Sequence, residues 1–105
     1  MMNNKSYIFI YNDSLGTREE IKCILDSLPE ILHWRFELPY TFFLVSEETA
    51  NGLAKKIQKV LGDNGKFLLS EYSENSQGLL SEKSWRFLES KEPSRPLRIR
   101  RKKVS

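Results

Sequence analysis

Short apolar runs alternate with stretches of helical periodicity along the first 72 residues. The runs at 7–11, 32–38, 41–45 and 67–72 are rich in aromatic, leucine and β-branched residues, which predicts four strands. The second run alternates between apolar and polar positions, and only two residues separate it from the third. Two strands joined so closely predict an antiparallel hairpin.

Two helices are predicted between these strands. The first begins at Thr17, which has capping-box spacing to Glu20, and it ends before Pro29. For the second helix we predict Ser46 as the N-cap and Gly62 as the C-cap. Each helix has one apolar stripe, made of Ile21, Ile24, Leu25 and Leu28 in the first and of Ala50, Leu53, Ala54, Ile57, Val60 and Leu61 in the second.

The resulting order, β-α-β-β-α-β, is typical of ferredoxin-like domains. We therefore expect an α+β fold, with a four-stranded antiparallel sheet and two helices on one face. A chain of 105 residues is long enough for one domain, which we assign to residues 1–90. Within it, residues 79–88 predict a short additional helix capped by Ser81. Residues 91–105 form a basic tail that we expect to be mobile.

Both faces of the predicted sheet carry apolar side chains, although two helices cover only one face. Three explanations are open. A second copy could pack on the open face, the segment 79–88 could fold back as a lid with Trp85 and Phe87, or the aromatic rings could stack on single-stranded RNA. The residues that we expect to make dimer or sheet-face contacts are Tyr7, Phe9, Tyr11 and Phe43.

Charge is distributed unevenly along the chain. Residues 91–105 contain seven basic residues and one acid, a net charge of +6, whereas residues 1–90 contain ten basic and thirteen acidic residues, a net charge of −3. Basic tails attract phosphate backbones and acidic surfaces. The tail could bind nucleic acid, bind an acidic protein or the body of the chain, or have no specific role. The candidate binding residues are Arg95, Arg98, Arg100, Arg101, Lys102 and Lys103.

The composition indicates neither a membrane span nor a cysteine-rich zinc site, because the chain has one cysteine. No run approaches the roughly 20 apolar residues that span a bilayer, and no secretory signal pattern precedes the first strand. The one cysteine, Cys23, lies opposite the apolar stripe of the first helix, so we expect an exposed thiol, which suits a reducing compartment. We predict a cytoplasmic protein without a membrane partner and without a cofactor.

Four short stretches, taken in order, resemble a known group of proteins. They are 8–12 (IFIYN), 32–34 (LHW), 43–46 (FLVS) and 78–85 (GLLSEKSW). The chain resembles small ferredoxin-like proteins related to the CRISPR adaptation endoribonuclease and to the VapD toxins, among them short bacterial proteins described as SinR-like. The resemblance covers roughly residues 7–88.

That resemblance implies a metal-binding position at the end of the first strand. In the nuclease relatives, an acidic residue there binds metal between two subunits, and bound Mg²⁺ can activate water against a phosphodiester. This chain has Asn12 at that place, and an amide is a poorer magnesium ligand than a carboxylate. Asp13, the next residue, is therefore the candidate catalytic residue, with Mg²⁺ as cofactor under this alternative only. The departure from a carboxylate counts against nuclease activity, and the other interpretation of Asp13 is a plain turn residue.

Three classes of function remain. We expect a non-catalytic interaction module, dimeric through its sheet, which binds nucleic acid or an acidic protein through its basic tail. The first alternative is a metal-dependent nuclease or toxin that uses Asp13. The second is a small inhibitor or adaptor that adds its edge strand to a partner.

Overall fold

The computed structural model describes residues 3–62 and 65–92. None of the helices in these residues is long and apolar enough to cross a membrane. Apart from its first two residues, the predicted basic tail lies outside the described residues. The elements are β1 (Lys5–Tyr11), a 3-10 turn (Asp13–Leu15), α1 (Arg18–Ser27), β2 (His33–Phe36), β3 (Thr41–Ser46), α2 (Ala50–Leu61), β4 (Phe67–Glu71) and α3 (Glu82–Ser90).

The four strands form one antiparallel sheet in the order β2-β3-β1-β4. β1 pairs with β3 on one side and with β4 on the other, and β3 pairs with β2 in the predicted hairpin. Helix α1 connects β1 and β2, which are parallel but not adjacent because β3 lies between them. Helix α2 connects β3 and β4, which are parallel but not adjacent because β1 lies between them. The α+β architecture with a four-stranded antiparallel sheet is as predicted, and β2 and β4 are its edge strands.

The main core lies between the sheet and the two helices α1 and α2. Tyr7, Phe9 and Tyr11, alternate residues of β1, belong to this core and are at most 4% exposed. We expected these three residues to make dimer or sheet-face contacts, and the alternation of the central strand places them on the sheet face that the two helices cover. The helices contribute Ile21, Leu25, Leu53 and Ile57 to the same core.

Local side-chain bonds set the helix ends. The capping box of α1 is confirmed: Thr17 Oγ1 accepts a hydrogen bond from the Glu20 backbone at 3.1 Å, and the Thr17 backbone donates to Glu20 Oε1 at 2.8 Å. Gly62 is the C-cap of α2, as predicted, with a φ of 78°. The predicted N-cap Ser46 is wrong: Thr49 caps α2, because Ser46 is still paired within β3.

Helix α3 covers part of the second face of the sheet. Phe87 and Leu88 pack against Phe43 and Val45 of β3 in a second, smaller core. Buried Ser6 of β1 donates a hydrogen bond from its hydroxyl to the Leu88 carbonyl at 2.7 Å. The lid explanation of the two-sided apolar sheet is therefore confirmed, and Phe43, at 2% exposure, is an internal contact of the chain.

Candidate functional site

A network of polar side chains joins the end of β2 to the start of α3. The Glu37 carboxylate accepts hydrogen bonds from the Ser81 backbone at 2.9 Å, from the Ser81 hydroxyl at 2.8 Å and from the Ser84 hydroxyl. Arg35 donates from Nε to the Ser84 hydroxyl at 2.7 Å and from Nη2 to the Ser81 hydroxyl at 3.3 Å. Ser81 also caps α3 by accepting from the Ser84 backbone, as predicted. The network therefore fixes the start of α3 beside β2.

The hydrogen bonds in this network change the acidity of Glu37. The Ser84 hydroxyl bond contributes most, and the backbone and side-chain bonds from Ser81 add to it, so the pKa of Glu37 lies below its usual value. The positive charge of Arg35 acts in the same direction. Glu37 is therefore ionised at neutral pH, and its negative charge is matched by donors from α3.

A groove of about 610 Å³ runs between β2 and α3. All four residues of β2 line the groove. Neighbouring residues of a strand point to opposite faces of the sheet, so a wall that includes all four is formed by the edge of β2 and not by one face. The other wall is one side of α3, since its lining residues recur at helical spacing. They are Lys83, Arg86, Phe87 and Ser90, and Glu92 follows beyond the helix end.

The groove carries more positive than negative charge. Arg35 lies on the strand side, and Lys83 and Arg86 lie on the helix side, against the single acid Glu92. Arg86 forms an exposed ion pair with Glu82 at 3.4 Å, whereas Lys83 has no ion pair within residues 3–62 and 65–92. Aromatic rings accompany these charges, with the His33 and Phe87 ring centroids 4.9 Å apart. The groove can therefore hold an acidic ligand.

The candidate catalytic residue Asp13 lies elsewhere, at the far end of β1. It belongs to the 3-10 turn, in which Asn12 Oδ1 accepts a hydrogen bond from the Ser14 backbone at 2.7 Å. Asp13 lines a hollow of about 500 Å³ together with Glu37, Tyr40 and Arg18, whose guanidinium lies 4.5 Å from the centroid of the Phe36 ring.

A magnesium site at Asp13 would need further oxygen ligands beside it. The described residues contain no group of three or more side chains of the kinds His, Cys, Asp or Glu placed to hold a metal ion. The Asn12 amide oxygen is already an acceptor in the turn. Asp13 lies in the 3-10 turn, and its role as a catalytic residue with Mg²⁺ stays a prediction.

α3 leaves part of the second sheet face uncovered. Ile10 of β1 and Leu68 of β4 are opposite each other in the sheet and are 44% and 60% exposed. Leu38 and Leu79 are also exposed, and together with Ile10 they line an apolar hollow of about 250 Å³. This uncovered patch, defined by Ile10, Leu38, Leu68 and Leu79, is an apolar surface that is available to a partner.

The structure and the predicted sites agree only in part. Cys23 is an exposed free thiol, as predicted. Sequence reasoning assigned Arg35 and Glu37 only to the polar face of β2, and it missed that they meet α3. The predicted partner-binding residues Arg95, Arg98, Arg100, Arg101, Lys102 and Lys103 all lie outside the described residues.

Comparisons with models of protein families, with curated proteins and with solved structures find no match to this chain. The resemblance drawn from the four sequence stretches therefore stays a prediction.

Proposed function

We propose that this chain is a non-catalytic interaction module that binds an acidic segment of a partner protein in the β2–α3 groove. The observation that carries the proposal is the charge of the groove lining, which contains Arg35, Lys83 and Arg86 and one acid, Glu92. Arg86 is paired with Glu82, whereas Lys83 has no ion pair among the described residues. The tail has the same sign of charge and would add to the attraction. A cytoplasmic location belongs to this proposal, because the exposed thiol of Cys23 suits a reducing compartment.

The test compares two pairs of lysine and arginine replacements in the full chain. Lys83→Gln with Arg86→Gln removes two positive charges from the groove, and Lys55→Gln with Lys59→Gln removes two from exposed positions of α2. We expect only the groove variant to lose affinity for a fluorescein-labelled glutamate-rich peptide, measured by anisotropy. Equal loss in both variants would mean that net charge alone attracts the peptide, and the groove would then have no role.

Nucleic acid is the second candidate partner, and the charge of +6 in residues 91–105 favours it. If the tail binds a duplex, each phosphate that it neutralises adds about 0.9 to the slope of log affinity against log salt. The test replaces the six arginines and lysines by glutamine in the full chain and measures duplex and single-strand binding at two salt concentrations. Unchanged binding would reject the tail as the nucleic-acid site. The replaced residues are Arg95, Arg98, Arg100, Arg101, Lys102 and Lys103.

We also propose the finer fold assignment, a ferredoxin-like domain of the group that includes the SinR-like and VapD-like proteins. The order of the first six helices and strands supports it, as does the insertion of β3 between β1 and β2. The 3-10 turn after β1 and the helix α3 after β4 are additions to the six-element pattern.

A homodimer remains a proposal, and we now propose the uncovered patch as its interface. Ile10 and Leu68 are large apolar residues exposed side by side, which favours burial against another surface. We expect Leu68→Lys to shift the chain toward monomer in light scattering at tens of micromolar. Val60→Lys is the matched control, because Val60 is 49% exposed on α2, away from the patch. A wild-type chain that is already monomeric at that concentration would refute the dimer.

A further inference from the structure

We infer that the hollow beside Asp13 is a binding site for the guanidinium group of an arginine side chain. The hollow has a volume of about 500 Å³ and lies where the end of β1, the start of α1 and the β2–β3 connection meet. The inference goes beyond the proposed function, because it concerns a second site whose charge preference is opposite to that of the β2–α3 groove. The residues of this Asp13 hollow that carry the argument are Tyr11, Asp13, Arg18, Phe36, Glu37 and Tyr40.

Aromatic rings line the Asp13 hollow, and one of them already contacts a guanidinium. The Arg18 guanidinium carbon lies 4.5 Å from the centroid of the Phe36 ring. Ring faces attract cations, and the planar guanidinium also stacks on them. The rings of Tyr11 and Tyr40 meet edge to face with their centroids 5.8 Å apart, and Tyr40 is half exposed. Tyr40 therefore offers a second ring in the hollow to a second guanidinium.

The Tyr11 hydroxyl is a polar group for which the fold supplies no hydrogen bond. Tyr11 is 4% exposed, and its ring packs in the main core against Phe9 and Phe42. Within residues 3–62 and 65–92 this hydroxyl has no hydrogen-bond partner, although most buried polar side-chain atoms have one. Because Tyr11 also lines the hollow, a ligand there can reach the hydroxyl, whose oxygen can accept a hydrogen bond from a guanidinium N–H.

The charges around the Asp13 hollow favour a cation as the ligand. Asp13 and Glu37 are acidic, and Arg18 is the one base among the lining residues that the structure describes. Asp13 has no ion pair in that part of the chain, and the Glu37 carboxylate is ionised at neutral pH. The first turn of α1 adds the negative charges of Glu19 and Glu20. These acids would repel an anion and attract a second cation.

The shape of the charged group selects arginine over lysine. A guanidinium is planar and carries five N–H donors, so it can stack on a ring and donate to a carboxylate or hydroxyl at the same time. A lysine ammonium is a compact charge without a flat face. Arg18 has the same charge as the incoming group and already covers the Phe36 ring. We therefore expect Arg18 to oppose binding, whereas the acids and tyrosines of the hollow favour it.

The experiment compares two basic peptides of equal length and charge. A fluorescein-labelled peptide of alternating arginine and glycine is titrated with the full chain and followed by anisotropy, beside a lysine–glycine peptide. We expect the arginine peptide to bind about two- to fivefold more tightly, the size of a cation–π contact at an exposed site. Tyr40→Asn removes the ring in a residue type that tolerates the φ of 57°, and Tyr11→Phe removes only the hydroxyl. Each variant should reduce this preference for arginine.

Arg18→Gln and Lys22→Gln form the matched pair for charge. Each removes one positive charge from α1, but only Arg18 lines the hollow. We expect Arg18→Gln to raise the affinity for the arginine peptide severalfold and Lys22→Gln to leave it within about twofold. Equal effects of the two variants would show that net charge alone attracts the peptide, and the inference would be wrong. The glutamate-rich peptide tests the groove separately, so this failure would leave the proposed function standing.

The arginine can belong to another protein or to the chain's own tail, and a variant with unchanged charge distinguishes the two sources. The four tail arginines are replaced by lysine in the full chain. If they occupy the hollow, the variant should bind the arginine peptide more tightly than the wild type, and the amide resonances of Asp13 and Tyr40 should shift without peptide. Unchanged resonances with a retained preference for the arginine peptide assign the site to another protein's arginine. If neither chain prefers arginine over lysine, the inference is overturned. The replaced residues are Arg95, Arg98, Arg100 and Arg101.

Discussion

The attachment of α3 to the sheet can be tested with a single truncation, Leu88→Ala. Leu88 is 1% exposed and packs in the second core beside Phe43 and Val45. The substitution removes three buried carbon groups at about 0.8 kcal/mol each, or about 2.4 kcal/mol. A residual cavity adds to this loss, so we expect the free energy of unfolding to fall by about 3 kcal/mol. For a domain of this size, that corresponds to a fall of roughly 10–20 °C in Tm.

Leu79→Ala is the matched control, since it makes the same chemical change at a residue that is 97% exposed. We expect this control to stay within about 0.5 kcal/mol of the wild type. Both variants are unfolded in urea and followed by tryptophan fluorescence and far-UV circular dichroism. If Leu88→Ala is as stable as Leu79→Ala, then α3 does not pack on the sheet, and the β2–α3 groove loses its helix wall.

Three further predictions concern caps and titrating groups. Thr17→Ala removes the side-chain half of the α1 capping box and should cost about 1 kcal/mol in urea unfolding, whereas Thr17→Ser should retain most of that stability. The lowered pKa of Glu37 contributes stability that is present above the ordinary pKa of about 4.3 and is lost as pH falls through the lower folded pKa. Glu37→Gln should therefore make the free energy of unfolding, measured in urea, depend less on pH in that acid range. Burial, with smaller effects from Glu71 and Glu48, raises the pKa of Tyr7. The stability that Tyr7 contributes is therefore present below about pH 10 and is lost as pH rises through the higher folded pKa. Tyr7→Phe should reduce this loss of stability at alkaline pH, measured by thermal unfolding across that range.

The elements that sequence patterns predicted well are those determined by nearby residues. Thr17 and Glu20 are three residues apart, and Gly62 ends α2 through its own backbone freedom. Predictions failed where contacts with a distant segment of the chain determine the local structure. The polar Ser6 gave no strand signal, yet β1 begins at Lys5, because Ser6 pairs across the sheet and donates to the carbonyl of Leu88 in α3.

The candidate site was hidden from sequence reasoning for the same reason. Alternation along β2 placed Arg35 and Glu37 on one face, and cap chemistry indicated Ser81, but 44 residues separate Glu37 from Ser81. Only the fold-back of α3 across the second face brings them together. The sequence feature that did point to this contact was the apolar character of both sheet faces. It predicts that some segment packs on the second face, but it does not identify the segment.

Stability and binding should be coupled, because the same helix closes the second core and forms a wall of the groove. Phe87 and Leu88 anchor α3 to the sheet, while Lys83 and Arg86 line the groove. A ligand that contacts both walls binds only the docked form, so Tm should rise with the logarithm of the ligand concentration once that concentration exceeds Kd. By the same linkage, Leu88→Ala should weaken binding of the labelled glutamate-rich peptide although Leu88 is not a groove residue, because the apparent Kd rises as the docked fraction of α3 falls. We would measure the affinity of Leu88→Ala and Leu79→Ala for the peptide by titration at a temperature where both variants stay folded. Equal affinities would show that the ligand does not depend on docked α3 and would separate the binding site from the helix.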